Sequence, residues 1–424
     1  MNWRVSWIVL GFASVPSSMV ACGASSTSGA STGTGSSSGR SMPAGDDGGS
    51  GDATASGIGL SSGAENGSGG SSSDNAPSSG SGGAGSGSSG GSGSGETSGS
   101  SAADAGSGAT EPCDIYQSGG TPCVAAHSTV RALYGSYGGS VYQVRRASDH
   151  ATRDIPVLSP GGFADSSVQD SFCSGTTCTI SILYDQSPQG NDLLVSPPAH
   201  WLPDGGAEAN ATAARIKVGG HTVYGIYVSA FSMNVAYRNN KTKRVATGDE
   251  PEAMYMVLDG KRSSSYCCFD YGNAETDGKD DGNATMEALY WGSNTQWSRG
   301  GGSGPWVAAD LENGMYEGNS NNTPSNTPVS FTYVTAMLKG PSGNHFTLKA
   351  GDAQSGNLLI KWDGARPSGY SPKKLQGAII LGTGGDGSNG GTGTFFEGCM
   401  TAGNPADQID DAVQANIVAA GYGR

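Results

Sequence analysis

The sequence predicts an all-β fold, an antiparallel β-sandwich formed by residues 111–424 behind a long segment that has no core. Along residues 111–424, short apolar runs rich in β-branched and aromatic residues are separated by clusters of Gly, Asn, Asp and Ser. Helical periodicity is convincing in only two places, so the strands do not alternate with helices as they would in βαβ units. No repeat of 20–50 residues is visible. These observations favour one sandwich domain.

Five runs are the clearest strands because β-formers fill them and turn residues border them. They are residues 179–184, 222–228, 253–258, 331–337 and 378–381. We expect one helix at residues 124–134, directly after Cys123, and a second at residues 406–420. In the second, Ile409, Val413, Ile417 and Val418 recur at helical spacing.

The first 22 residues have the layout of a signal peptide. Arg4 precedes an apolar run at residues 7–13, which is too short to span a bilayer, and the segment ends in Met-Val-Ala-Cys22-Gly. This ending resembles a bacterial lipobox, in which Cys22 is lipidated; the alternative is plain secretion with Cys22 as an ordinary residue. We therefore expect export, either as a cell-surface or outer-membrane lipoprotein or as a freely secreted protein.

Residues 23–110 are predicted to be a disordered linker. Of these 88 residues 55 are Gly or Ser, and none is aromatic or Cys. Such a segment cannot bury enough apolar surface to offset the entropy of ordering it. A flexible tether of this length would hold the domain of residues 111–424 away from a membrane if Cys22 anchors the chain there.

Charge and cysteine spacing exclude several classes of function. The net charge is −14, and no basic cluster is longer than residues 241–244, which argues against nucleic acid as a partner. Cys113 with Cys123 and Cys173 with Cys178 have the short spacing of local disulfides in an exported protein. Neither a CxxC pair of zinc type nor HExxH occurs, so we expect no metal and no cofactor. We expect a monomer.

Two acidic segments are candidates for chemistry. If residues 306–312 form a strand, Trp306, Ala308, Asp310 and Glu312 share one face, while residues 307, 309 and 311 present an apolar face to the core. Two carboxylates beside an aromatic ring suit a cleft, although an exposed polar face has the same pattern. The second segment is the glycine-rich loop at residues 382–390, which carries Asp386. It can approach a ligand closely, but it is equally typical of a surface turn.

The adjacent cysteines Cys267 and Cys268 are the most unusual feature of residues 111–424. If they bond to each other, they close an eight-membered ring and leave a rigid apolar surface on a turn. Aromatic, amide and carboxylate residues surround them, the side-chain types that line sugar sites. Other carboxylates that compete for catalytic roles are Glu275, Glu287, Glu317, Asp363 and Glu397.

Together these segments resemble the catalytic domain of glycoside hydrolase family 54, the α-L-arabinofuranosidase B type. The resemblance implies a concanavalin- or jelly-roll-like β-sandwich and extends over nearly all of residues 112–420. Fungal members carry a C-terminal arabinose-binding β-trefoil, which we expect this chain to lack. The motifs that carry the resemblance are residues 112–116 (PCDIY), 121–128 (TPCVAAHS), 183–187 (LYDQS), 267–276 (CCFDYGNAET), 304–306 (GPW), 310–313 (DLEN), 364–367 (GARP) and 377–386 (GAIILGTGGD).

The resemblance implies a retaining, exo-acting hydrolase that removes terminal α-L-arabinofuranosyl groups from arabinan- or arabinoxylan-type polysaccharides. Glu312 corresponds to the nucleophile and Asp386 to the general acid/base, and retention requires their carboxyls to lie about 5–5.5 Å apart. The implied sugar-binding residues are Cys267, Cys268, Trp297, Asp310, Asn313 and Gly385. The competing interpretations are a non-catalytic, lectin-like sandwich and a hydrolase of a related furanoside. Because a binder needs no carboxylate pair, Glu312 and Asp386 together favour the enzyme.

Overall fold

The structure is a computed structural model that describes residues 110–229 and 234–424. The predicted signal peptide at residues 1–22, the lipidation site Cys22 and the linker up to residue 109 lie outside the described residues. Among the residues that are described, no helix combines the length and the apolar character needed to cross a bilayer.

The regular structure of the described residues consists of nineteen strands and three helices. The helices are α1 (Pro112–Ser118), α2 (Ser166–Phe172) and α3 (Asp407–Ala420). The strands are β1 (Cys123–Ser128), β2 (Ser140–Arg146), β3 (Thr152–Pro156), β4 (Cys178–Leu183), β5 (Leu193–Val195), β6 (Ala209–Asn210), β7 (Ala214–Val218), β8 (His221–Val228), β9 (Tyr237–Asn239), β10 (Glu252–Asp259), β11 (Asp270–Ala274), β12 (Glu287–Gly292), β13 (Trp306–Asp310), β14 (Met315–Tyr316), β15 (Tyr333–Gly340), β16 (Phe346–Asp352), β17 (Ser355–Gly364), β18 (Ala378–Leu381) and β19 (Gly393–Ala402).

The strands form two sheets that pack against each other. The first sheet has the order β17-β16-β15-β10-β19-β8-β7, with β1 also paired to β19. The second has the order β14-β13-β12-β11-β18-β9-β5-β4-β2-β3, with β6 beside β4. Strand β12 contacts β15 and strand β13 contacts β16 across the interface, and the Tyr271 ring of β11 lies 5.2 Å from the Phe395 ring of β19. The predicted all-β sandwich is confirmed.

Most of the predicted elements lie where the sequence placed them. Four of the five predicted strands correspond to β4, β8, β10 and β18, and the fifth, β15, begins two residues later than expected, at Tyr333. The predicted helix at residues 406–420 is α3, which packs Val413 and Ile417 against the core. Short helices α1 and α2 were not predicted.

The helix expected at residues 124–134 was wrong. Residues 123–128 are strand β1, which pairs with β19 so that His127 lies opposite Gly398, and the chain then leaves the sheet. All six residues of β1 are buried. A strand covered on both faces loses the alternation that identifies strands, so the apolar run was mistaken for a helix.

Three disulfides join cysteines that are close in sequence. Cys113–Cys123 connects α1 to β1, Cys173–Cys178 connects the end of α2 to β4, and Cys267 is bonded to its neighbour Cys268 through a cis peptide unit. Cys399 is a buried free thiol on β19.

Candidate active site

Strand alternation directs one face of the second sheet away from the main core. On β13, Val307 and Ala309 belong to that core, as does Leu311 just beyond the strand. Ala308 packs on the other face with Tyr290 of β12. The predicted face that carries Ala308 and Asp310 is therefore the outer face of the sheet. Asp310 lies on it at the end of the strand.

Small residues next to Asp310 leave space above the sheet. Asp310 is paired with Ala288 on β12, and Ala288 is paired with Gly272 on β11. One row away, Tyr290 lies between Asp270 and Ala308. Since residues of one row share a face, the sheet forms a shallow floor with a carboxylate at its edge.

Glu312 lies in the turn that follows β13, not in the strand. Its backbone N–H donates to Asp310 Oδ1 at 3.2 Å, and Leu311 N–H donates to the carbonyl of Gly314 at 3.0 Å. Glu312 and Asn313 both have left-handed backbones, with φ of 60° and 56°. These two residues reverse the chain, and the turn keeps the Glu312 side chain beside Asp310.

Asp386 comes from the loop that follows β18, on the other side of the floor. Its Oδ1 accepts a hydrogen bond from Ser388 N–H at 2.9 Å, and its carbonyl accepts one from Trp201 N–H at 3.0 Å. Arg238 on β9 donates to the carbonyl of Gly385 at 2.5 Å and also to the carbonyl of Glu275. The loop is thus fixed by backbone contacts on both sides of Asp386.

A small, partly open cavity lies between these segments. Seven of the eight sequence-predicted site residues line it, and the eighth, Cys268, is buried beneath it in contact with Tyr290 and Ala308. The full lining is Cys267, Trp297, Asp310, Glu312, Asn313, Gly314, Met315, Gly385, Asp386 and Ser388.

The bonded cysteine pair forms part of the cavity wall. Cys267 Sγ lies 3.4 Å from Ser388 Oγ, and Cys268 Sγ lies 3.3 Å from Asp310 Oδ2. Trp297 packs against the cluster of buried residues that contains Cys268. The pair therefore connects the Asp310 side of the cavity to the Asp386 loop.

Glu275, immediately after β11, is a further carboxylate at this site. It is fully buried, and its Oε1 accepts from the Thr285 hydroxyl at 2.5 Å. Its Oε2 has no donor among the described residues and lies against Gly385, where a Cβ would collide with it. Glu275 and Glu312 are close enough for each carboxyl to influence the pKa of the other.

Burial among like charges raises the pKa of these carboxyls. Burial, followed by the charges of Glu275, Asp310 and Asp386, raises the pKa of Glu312 far above its usual range. Burial also raises the pKa of Glu275 and of Asp310 to about 7 each. Buried Asp270, next to Asp310, has a pKa well above its usual range for the same reason. Burial therefore favours the protonated forms of these carboxyls at neutral pH.

The remaining acidic candidates have other surroundings. Glu287 is paired with Arg366 and Lys373, and Glu397 is paired with Arg131. Asp363 is half exposed beside His345. Glu317 is buried outside the cavity lining, and burial raises its pKa to about 7.

Within residues 110–229 and 234–424, two groups of side chains lie close enough together to share a metal ion. They are Cys113, Cys123 and Cys399, and Cys267, Cys268 and Asp310. Two cysteines in each group are bonded to each other, so their sulfurs are not the thiolates that a metal needs. The donor sets do not fit a metal.

Sequence reasoning singled out neither Asp270 nor Arg238, and it named Glu275 only as a competitor for the catalytic role. The motif at residues 267–276 contains both Asp270 and Glu275. Nothing in the local sequence indicates that Glu275 lies near Glu312. Ser388 was likewise not singled out, although it contacts both Asp386 and the cysteine pair.

The family model "Alpha-L-arabinofuranosidase B, catalytic" matches residues 112–423 of this chain. A probable α-L-arabinofuranosidase B of Aspergillus fumigatus is 53% identical over 321 residues, which cover 73% of this chain and 62% of the relative. The α-L-arabinofuranosidase B of Aspergillus oryzae is 52% identical over 324 residues, which cover 74% of this chain and 63% of the relative. The chain therefore matches less than two thirds of the length of these relatives.

Two solved structures with the same fold hold ligands. One is an arabinofuranosidase complexed with arabinofuranosyl-α-1,2-xylobiose, and another is a GH54 α-L-arabinofuranosidase soaked with a cyclic sulfate inhibitor. Each has a TM-score of 0.72 and 47% sequence identity, and each match covers 74% of this chain and 66% of the solved chain.

Proposed function

This chain belongs to the family of α-L-arabinofuranosidase B catalytic domains, glycoside hydrolase family 54, and from that premise we propose that it is a retaining, exo-acting α-L-arabinofuranosidase. Its substrates are terminal α-L-arabinofuranosyl groups on arabinan- or arabinoxylan-type polysaccharides. The observation that carries the proposal is the small cavity that Glu312 and Asp386 line together from two separate segments.

The reaction proceeds by two displacements. The Glu312 carboxylate attacks the anomeric carbon while the protonated Asp386 carboxyl gives its proton to the glycosidic oxygen, so that the alcohol leaves and a glycosyl ester remains on Glu312. Asp386, now a carboxylate, then takes a proton from water, which attacks the same carbon and releases arabinose. Two inversions give net retention.

The surrounding residues position the sugar. Asp310 lies beside the nucleophile, fixed by the Glu312 N–H, and offers its carboxylate to sugar hydroxyls. Trp297 and the bonded Cys267–Cys268 pair provide an apolar wall for one face of the furanose ring. Asn313 and Gly385 complete the rim, and Gly385 admits the close approach of Glu275 because it has no side chain.

Protonation must be controlled for Glu312 to act. Attack requires the carboxylate, yet burial and neighbouring charges favour the acid form. Glu275 is the neighbouring charge that favours the acid form of Glu312 most. Positive charge that develops at the anomeric carbon also stabilises the Glu312 anion in the transition state.

The test is hydrolysis of an aryl α-L-arabinofuranoside by the full chain, with Glu312→Gln and Asp386→Asn as inactive variants. We expect each to lower kcat by roughly 10²-fold or more, and proton NMR of early product to show the retained anomer. Glu317→Gln is the matched control, a buried carboxyl outside the cavity. Lack of turnover by the wild type, or full activity of Glu312→Gln, would exclude this function and leave the carbohydrate-binding alternative.

We also propose that the protein acts outside the cytoplasm. The disulfides Cys113–Cys123 and Cys173–Cys178 support a domain that works outside the reducing cytoplasm. Lipidation of Cys22 would attach it to a membrane through the linker. Mass spectrometry of the mature N-terminus distinguishes a lipid on Cys22 from plain secretion.

A further inference from the structure

A second, larger groove adjoins the cavity. The two share Cys267 and Ser388, and the groove has a volume of about 710 Å³ including its open mouth. The segment of Trp201, Leu202 and Pro203 forms one wall, and Tyr266 forms part of the other. We call it the Trp201–Tyr266 groove after these two aromatic residues.

Two aromatic side chains in the groove are exposed to solvent. Trp201 is 36% exposed and Tyr266 is 48% exposed, although both are large and partly apolar. The ring of His200 meets the Trp201 ring edge-on, with their centroids 4.7 Å apart. Exposed aromatic surface beside a polar cavity is costly to keep in water, and it indicates a ligand with a flat apolar face. Pyranose rings have such faces.

The groove lies on the side of the site that carries the general acid. Trp201 N–H donates to the carbonyl of Asp386 at 3.0 Å, and a Cβ at Gly387 would meet Ala199 and Leu202. Ser388, which holds the Asp386 carboxylate, lines both the groove and the cavity. Because the acid protonates the glycosidic oxygen, the group bonded to that oxygen must lie near Asp386.

A different groove meets the cavity on the opposite flank. It contains Trp297, Arg299 and Asn322 and has a volume of about 640 Å³. It shares only Trp297 with the cavity lining, and neither Asp386 nor Ser388 lines it. The geometry therefore favours the Trp201–Tyr266 groove for the leaving group, since that groove includes Ser388, which is hydrogen-bonded to Asp386.

We propose that the Trp201–Tyr266 groove binds the leaving group, a pyranose oligosaccharide of the xylobiose type, by stacking its rings on Trp201 and Tyr266. The inference rests on the proposed function and specifies the half of the substrate that the cavity does not hold. The groove thereby favours arabinofuranosyl groups attached to a sugar chain over those attached to a small alcohol.

The test compares two substrates of the full chain that differ only in their leaving group. One is arabinofuranosyl-xylobiose, and the other is methyl α-L-arabinofuranoside, whose one-carbon leaving group cannot reach Trp201. We expect the kcat/KM for the trisaccharide, divided by that for the methyl glycoside, to fall about tenfold in Trp201→Ala and in Tyr266→Ala. The cause is a higher KM for the trisaccharide. Trp201→Phe and Tyr266→Phe, which keep an aromatic face, should restore most of the ratio.

Matched variants in the other groove are Arg299→Ala and Asn322→Ala. The inference is overturned if these lower the ratio while Trp201→Ala and Tyr266→Ala do not, or if no variant changes it. Calorimetric titration with xylobiose alone separates this question from turnover. Weaker binding by Trp201→Ala supports the groove even if the wild type hydrolyses neither substrate, whereas equal binding contradicts it.

Discussion

The proposed reactive residues of this site are buried carboxyls that raise one another's pKa. Glu312 is surrounded by Glu275, Asp310 and Asp386, and each of these charges favours the protonated form of Glu312. Arg238 partly offsets the excess of negative charge, since it lies beside the carbonyls of Glu275 and Gly385. The protonation of Glu312 therefore depends on Glu275 more than on any other single side chain.

The Glu275→Gln variant tests this dependence. Removing the charge that raises the pKa of Glu312 most, after burial, should lower that pKa, so the carboxylate form persists at lower pH. We expect the acidic limb of the kcat/KM profile against pH to move down by about one unit or more. An unchanged acidic limb in Glu275→Gln would contradict the dependence of the Glu312 pKa on Glu275. Glu317→Gln, which lies outside the cavity, should leave the acidic limb in place.

At the scale of elements, the turn after β13 determines where Glu312, the proposed nucleophile, points. The alternation of β13 continues to Leu311, and the left-handed backbones of Glu312 and Asn313 then reverse the chain. Asparagine tolerates this conformation better than most side chains, and glycine tolerates it best. The amide of Asn313 also donates to Asp280 Oδ1 at 3.0 Å.

A pair of substitutions at Asn313 isolates the cost of this backbone. Asn313→Ala and Asn313→Gly both lose the contact with Asp280, but only alanine carries a Cβ into the left-handed region. We expect the free energy of unfolding of Asn313→Gly to exceed that of Asn313→Ala by about 1 kcal/mol in urea titrations. At Asn322, whose φ is not positive, the order should reverse, and the same order at both positions would refute the explanation.

The element that sequence reasoning missed illustrates the limit of periodicity. Strand β4 has a mixed burial pattern and was predicted within one residue at each end, whereas β1 is buried throughout and was mistaken for a helix. The cover on the second face of β1 comes from distant parts of the chain. Local pattern cannot reveal such cover.

For the molecule as a whole, buried acids link stability to pH. Burial raises the pKa of Glu111 to about 7, of Glu252 to about 8 and of Glu317 to about 7. Between about pH 4.5 and 8 the folded protein holds protons that the unfolded chain releases, so stability decreases as pH rises through this window. Burial lowers the pKa of His127, which opposes the trend below its unfolded value of about 6.5.

We therefore expect the Tm of the full chain to be higher at pH 5.5 than at pH 8, by roughly 5 °C or more. Differential scanning calorimetry in buffers of equal ionic strength measures this difference. In Glu317→Gln one of the titrating groups is absent, so the decrease should be smaller. A Tm that is constant or that rises over this range would show that these acids do not titrate as the structure indicates.

The sequence alone determined the sandwich, the three disulfides and the two segments that carry Asp310, Glu312 and Asp386, because strand alternation, cysteine spacing and motifs are local properties. Tertiary structure decided which groups meet across the chain. Only the pairing of β11, β12 and β13 places Glu275 against Glu312, and only the packing of residues 199–202 on Gly387 places Trp201 beside Asp386. The raised pKa of Glu312 and the proposed binding of the leaving group depend on these long-range contacts, which leave no periodic signature in the sequence.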